Sequence, residues 1–520
     1  MPINLKELIV ICGIALLVFV IAKPVALRFM EAQDFRRRCA AWFILTALAM
    51  LSPSFWLFVA LSIPVLFTVG RRDTHPACVY VLLIRVIPPF QVSIPMIGIS
   101  RLFDLDMPLL VALCVMLPAA VRLARRPPLE TGRGIRRLDT LLLAYIALST
   151  VLYIHFLPLG SEVLIPPSFT DMLRRAFVGL IGIFVPYFVI SRTGFDRKGM
   201  VDLLATLSLI ASVMAAIAIF EGARHWLLYG DIQERWGYTS RISLYLTRAG
   251  SVRAIASTGQ PLALALILAT FFGAWLYIKE HVTSALRRIA GTAVLLLGLI
   301  STYSRGPWLG AACVYILYVV LSPRPLGRFV KAAAAVAVAG LALMMSPYGH
   351  KVVSVMPYFG DYSSTDPSIL YRERLVTRAR EIFSQSPLAG DQDAMLRMQD
   401  LRQGEGIIDI VNTYVQVLLA NGIIGMVLFG SFILGALWSA WIESRRAALR
   451  DPDLCALGAA LLASTVGMLL MLSNSSLDAT EFYIVLACTV AYAQLVTSQR
   501  SAEVPAGDLR PAIGASARLR

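Results

Sequence analysis

The sequence predicts an all-α protein, a polytopic transmembrane helical bundle of about 12 to 15 spans with a large outer-face loop that contains short helices. Three observations carry this. The 520 residues are 58% apolar and only 15% charged, with mean hydropathy +0.72, the composition of a polytopic membrane protein. Long apolar runs recur from Leu8 to Val496 with no gap large enough for a soluble domain. The charge is gathered in short basic clusters between those runs, the pattern that the positive-inside rule produces. The net charge of +15 is therefore loop asymmetry at a membrane, and a nucleic-acid partner is excluded.

The first run follows Lys6-Glu7 and ends at Lys23-Pro24 without a small-residue cleavage site, so 4–22 reads as a retained span. Further spans are expected near 39–52, 54–70, 79–98, 107–122, 138–157, 172–191, 199–220, 254–278, 289–304, 307–322, 330–346, 412–441, 454–472 and 480–497. Basic clusters at 36–38, 71–72, 122–137, 191–198, 279–288, 324–328 and 444–450 mark one face, the cytoplasmic one by their sign. Residues 1–497 form a single membrane domain, and 498–520, rich in Pro, Gly, Ala, Ser and Arg, read as a disordered cytoplasmic tail. Two long polar segments, about 221–253 and 347–411, fall on the outer face. The seven cysteines lack CxxC spacing and the five histidines lack ligand spacing, so neither a disulfide framework nor a metal site is implied.

The segment "GTAVLLLGLISTYSRGPWLGAACVYILYVVL" (291–321) is apolar except for Arg305 near its midpoint. Its 31 residues would make a helix of ~46 Å, well beyond a ~30 Å hydrocarbon core. Basic residues flank both ends, so both ends lie on the same side. Gly306-Pro307 supplies a break, because glycine tolerates a strained turn and proline suits the first turn of a new helix. Arg305 is thus expected at the outer tip of a hairpin.

The outer segment 347–411 contains "STDPSILYRERLVTRAREIFSQSPLAG". Asp366 as N-cap, Pro367 at the first position and Ser386-Pro387 as terminator predict a helix from 367 to about 385. Ile369, Val376, Ala379 and Phe383 fall within about 60° of Arg372, which places Arg372 in the apolar stripe and Arg374 and Arg378 on the solvent side. Arginine's planar fork binds phosphate bidentately and stays charged when desolvated. Arg253, Arg305, Arg372 and Arg402 on one face therefore point to a lipid-linked phosphate or diphosphate.

In "RQGEGIIDIVNTYVQVLLANGIIGMVLF" (402–429), Asp409 either caps the helix that follows or acts as a base, and Asn412 with Gln416 is expected to pair with a neighbouring helix.

In order, these segments resemble the O-antigen ligase and O-antigen polymerase superfamily of envelope glycosyltransferases. "VRAIASTGQPLALAL" resembles the family's arginine before a G-x-P span start, and "STYSRGPWLG" its SRG hairpin. "YRERLVTRAREIFSQSPLAG" is similar to its arginine helix ending in P-L-x-G, and "DIVNTYVQVLLANGIIGMVLF" to its HN-x-Y span, here with Tyr414 after Asn412. Where many ligases carry histidine before the asparagine this chain has Val411, so the form is more like the exopolysaccharide polymerase members.

The resemblance implies glycosyl transfer between undecaprenyl-diphosphate-linked donor and acceptor at the periplasmic face of the inner membrane, with no cofactor, metal or nucleotide sugar. Arg305 and Arg372 are then expected on the diphosphate, with Arg253 and Arg402 as further ligands, Asp409 or Glu405 as the base, and Asn412 and Tyr414 as helix-positioned polar groups. Other polysaccharide assembly and export proteins are possible partners. A polymerase is the first reading, a ligase the second, and a flippase or exporter the non-enzyme alternative. The last is disfavoured because the charges gather at one face and the sequence shows no matching halves.

Overall fold

The computed structural model describes residues 2–96, 98, 101–125, 133–155, 169–193, 196–237, 246–248, 250–323, 367–402, 408, 410–475 and 480–503. Its helices are α1 (Ile3–Ala26), α2 (Ala32–Leu51), α3 (Phe55–Arg72), α4 (Pro76–Leu83), α5 (Met107–Ala124), α6 (Arg133–His155), α7 (Phe169–Arg192), α8 (Arg197–Arg224), α9 (Gly230–Arg235), α10 (Pro261–Ile278), α11 (Ala285–Ser301), α12 (Arg305–Leu321), α13 (Pro367–Gln385), α14 (Thr413–Ala447), α15 (Pro452–Leu472) and α16 (Thr480–Glu503). Strand is confined to two short antiparallel hairpins, β1 (Val92–Ser93) with β2 (Asp104–Leu105) and β3 (Thr247–Arg248) with β4 (Ser251–Val252).

Among the described residues, nine helices are long and apolar enough to cross a membrane: α1, α3, α5, α7, α8, α10, α14, α15 and α16. α2, α6, α11 and α12 run the same way between the two ends of the bundle. Burial sorts them. α8, α10, α15 and α16 are mostly enclosed, whereas α1, α3 and α7 leave most of their apolar surface outward, where lipid would cover it.

The helix ends alternate between two faces. At one, Arg28 donates to the His281 carbonyl (2.8 Å), Arg197 to Asp451 (2.7 Å), and Arg38 makes a buried double fork with Asp73 and Asp202. This face collects the basic clusters. At the other, Trp236 donates to the Ser52 carbonyl (3.0 Å), Arg174 to that of Leu102 (2.9 Å) and Thr413 to that of Ser475 (2.8 Å).

One expected span is corrected. The run 79–98 does not cross, because α4 ends at Leu83 and Pro88-Pro89 cannot continue a helix. Arg85 instead turns sideways into a buried bidentate pair with Glu481 (2.5 and 2.8 Å), and the chain reverses through the β1–β2 hairpin. The span 254–278 is helical only from Pro261, and 412–441 extends to Ala447 with a break at Gly422. The span 330–346, most of the segment 347–411 before Pro367, and the tail beyond Glu503 lie outside the described residues.

Candidate functional site

α11 and α12 form the expected hairpin, at the face away from the basic clusters. The break falls at 302–304 rather than at Gly306-Pro307: α12 already begins at Arg305, with glycine and proline inside its first turn. Tyr303 takes the left-handed conformation (φ 49°) that lets the chain reverse.

Arg253 holds this turn. Its Nε donates to the Thr302 carbonyl (2.9 Å) and its Nη2 to the Ser304 hydroxyl (2.8 Å), while the Ala254 amide donates to the Ser301 carbonyl (3.0 Å). The loop that carries Arg253 is held in turn by Glu221, wholly buried at the end of α8. One Glu221 oxygen accepts from the Ile255 and Ala256 amides (2.9 and 2.7 Å) and the other from the Leu228 amide (3.1 Å). Ala256, left-handed at φ 43°, is thereby locked. A continuous run of hydrogen bonds thus links a buried carboxylate to the arginine clamp and the turn that presents Arg305.

The start of α14 reaches the same place. Asn412 caps it, its side-chain oxygen accepting from the Tyr414 and Val415 amides (2.9 and 3.2 Å). The N-cap of α14 is Asn412, which folds back on its own helix instead of pairing with a neighbour. The next two residues clasp the end of α15: Thr413 donates to the Ser475 carbonyl, and Tyr414 to that of Leu469 (2.7 Å). Beside Ser475, the Cβ of Asn474 lies 3.9 Å from where a Cβ on Gly306 would stand. The Arg305 turn and the Asn412–Tyr414 helix start therefore meet across the end of α15.

α13 docks on α14 through Leu375, Ala379 and Ile382, which pack with Ala394, Met398, Leu401, Ile410 and Leu419. This corrects the expected stripe. Val376 is exposed and Phe383 only half-buried, because Leu375 and Ile382, seven apart, centre the buried face elsewhere. Arg372 sits on the exposed flank, and Arg374 is exposed as expected. Arg402 is exposed too, with its Nε on Gln399 (3.0 Å). Glu405 and Asp409 lie outside the described residues.

Between α13 and α14 the Pro387–Gly390 loop enters the break in α14. There the Ile423 and Ile424 amides donate to the Pro387 and Leu388 carbonyls (2.9 and 3.2 Å), and the Asp391 amide and Gln392 side chain satisfy the Leu419 and Ala420 carbonyls (2.6 and 2.8 Å). These four backbone groups at the break thus find partners in the loop. Asp391 pairs with Arg397 (2.8 Å), and burial together with Asp391 pushes the Asp393 carboxyl up from its ordinary range.

Residues 290–430 match the O-antigen ligase family model. The match supports the resemblance to the O-antigen ligase and polymerase superfamily and, with it, a membrane enzyme that processes lipid-linked glycans. It spans the α11–α12 hairpin, α13, its following loop and the first part of α14. No curated protein matches the chain. The residues that hold the turn from outside this ligase-type segment, Glu221, Arg253 and Asn474, come from α8, the 253–260 loop and the end of α15. Of these, Arg253 was legible as a motif; Glu221 carried a signal too, as a carboxylate closing an apolar span, whereas nothing local marks Asn474.

Proposed function

We propose that the chain is an inner-membrane glycosyltransferase that polymerises undecaprenyl-diphosphate-linked oligosaccharide repeat units into exopolysaccharide or O-antigen at the periplasmic face. One observation carries the reading: Arg305 opens a helix at a clamped turn, next to the capped start of α14, on the face opposite the basic clusters. The positive-inside rule makes that face periplasmic, where lipid-linked repeat units are presented.

The chemistry follows. The acceptor hydroxyl oxygen bonds to the donor sugar's C1 while the C1–oxygen bond to the carrier diphosphate breaks, and that bond's electron pair leaves with the diphosphate. Arg305, at the positive end of α12 beside the clamped turn, stabilises the developing charge, and Arg372 and Arg402 supply further cations from α13 and its following loop. Arg253 acts mainly by positioning the turn. The hydroxyl proton goes to Asp409 or Glu405 on the strand of chain that leads into Asn412.

A ligase that moves a finished glycan to lipid A core is the second reading, favoured by the family description of residues 290–430. Val411 in the position of the family histidine argues for the polymerase. Deleting the gene and analysing the glycans separates them: single lipid-linked repeats accumulate if it polymerises, and long unattached chains accumulate if it ligates. Unchanged glycans would overturn both.

A further inference from the structure

Four arginines inside the bundle have carboxylate partners. Arg38 has Asp73 and Asp202, Arg85 has Glu481, Arg192 has Asp139, and Arg174 has Asp171. Arg175, two turns into α7 and half-buried, is held differently. Its Nη2 donates to the Ser149 hydroxyl (3.2 Å), its guanidinium lies 4.9 Å from the centre of the Tyr153 ring, and the other side chain electrostatically coupled to it is Tyr145. All three come from α6 and are neutral. Among the described residues no Asp or Glu pairs with it. A hydroxyl and an aromatic face compensate a desolvated guanidinium only in part, so among the described residues this guanidinium lacks a full countercharge.

The surroundings say what kind of anion fits. The first turns of α7 bury none of their side chains; Leu173 is 51% and Val178 39% exposed, so the groove opens sideways to the bilayer rather than to water. Its level is fixed by the neighbouring Arg174, which donates to the Leu102 carbonyl in the hairpin at the non-basic face. An anion that arrives from the side, at headgroup depth, with an apolar tail to lie along Leu173 and Val178, is a lipid phosphate.

We propose that Arg175, Ser149 and Tyr153 form a second anion site, open to the bilayer in the α6–α7 groove, that takes the phosphate of a lipid. The same chemistry is offered by a polyprenyl diphosphate carrier and by a bilayer phospholipid. α14 stands between this groove and the Arg305 turn: Leu148, next to Ser149, packs 3.7 Å from a Cβ built on Gly425, whereas Thr413 and Tyr414 clasp α15. If the lipid is the carrier, the two sites flank α14 and would hold the two lipid-linked substrates that a polymerase joins, a consequence that rests on the proposed function. The phosphate site itself does not.

The test uses the purified full-length protein in detergent, titrated with farnesyl diphosphate and, separately, with dihexanoyl phosphatidylglycerol, in the parent and in an Arg305→Gln background that weakens the first site. Arg175→Gln weakens binding of at least one probe about tenfold or more, and Arg175→Lys weakens it less, because a charge-assisted phosphate contact accounts for roughly that factor. Loss for the prenyl diphosphate identifies the carrier; loss confined to phosphatidylglycerol identifies a bilayer lipid. Should Arg175→Gln fail to fold, Ser149→Ala, which keeps the charge, is expected to weaken the same probe about threefold. A parent that binds neither probe, or a folded Arg175→Gln protein that binds both as tightly as the parent, overturns the site. Unchanged glycans on deletion, with the binding loss intact, would sink the proposed function and leave the site standing.

Discussion

Gly390 and Gly422 are in backbone contact: a Cβ on Gly390 would stand 2.5 Å from the Gly422 nitrogen, and one on Gly422 would stand 2.2 Å from the Leu388 carbonyl oxygen. Both have positive φ, 73° and 62°. These are the glycines that close the P-L-x-G run and open the G-x-x-G run, so two separate sequence motifs are the two halves of one interlock. It seats α13 on α14.

Alanine at either position is therefore predicted to destabilise the protein, with left-handed strain of about 1–2 kcal/mol plus a clash against backbone, which cannot rotate away. Gly430 lies on the same helix with nothing within 4 Å of its missing Cβ. Gly430→Ala is expected to be neutral or to stabilise by about 0.5–1 kcal/mol. Thermal unfolding in detergent, read for all three variants, checks this; equal shifts would mean that the interlock contributes nothing specific.

Arg85 and Glu481 form a buried bidentate pair that ties the end of α4 to the start of α16. Arg85→Met should cost about 3–5 kcal/mol by leaving the Glu481 carboxylate buried alone, and Arg85→Met with Glu481→Leu should recover most of it. The exposed pair Arg378–Glu381 serves as control, with a cost under about 1 kcal/mol. A double variant as unstable as the single one would show that the pair itself, and not the stranded charge, sets the stability.

How much of this was visible in the chain depended on whether a feature is local. The bundle, the Arg305 hairpin and the helix 367–385 follow from apolar run lengths, charge sidedness and caps, all short-range signals. The span 79–98 misled because its apolar content outweighed Pro88-Pro89. The stripe on α13 was centred wrongly because the residues that cover Leu375 and Ile382, among them Met398 and Ile410, come from later in the chain. The meeting of Gly306 with Asn474, and the grip of Glu221 on the loop carrying Arg253, join positions far apart in sequence, and no periodicity encodes such a meeting.

Glu221→Gln tests that grip. An amide has one acceptor oxygen, so it cannot serve the Leu228, Ile255 and Ala256 amides together, and losing a charge-assisted bond in a buried site costs about 1–3 kcal/mol. The expected result is a lowered melting temperature with polymer output reduced because the turn bearing Arg305 loosens. Wild-type stability together with wild-type output would remove Glu221 from the account.

Arg305→Lys keeps the charge and removes the fork. If the diphosphate is held bidentately, output should fall about a hundredfold at normal expression and melting temperature. Arg372→Lys, on the exposed flank of α13, is expected to cost less. A near-normal Arg305→Lys protein would restrict Arg305 to a point charge or to a structural part in the turn.

Asp409 and Glu405 are the proposed bases. Asn412 supplies the cap of α14, so the proposed role of Asp409 is tested as a base. Asp409→Asn is isosteric and keeps hydrogen-bonding capacity, so a loss it causes is a loss of basicity. General-base removal lowers transfer by about 10²–10⁴-fold. The prediction is a drop of that size in polymer output with unchanged melting temperature and expression, and the parallel Glu405→Gln variant shows which carboxylate carries it. Polymer at the wild-type level in both would remove the two carboxylates as bases, and the acceptor would have to be deprotonated by another group on this face.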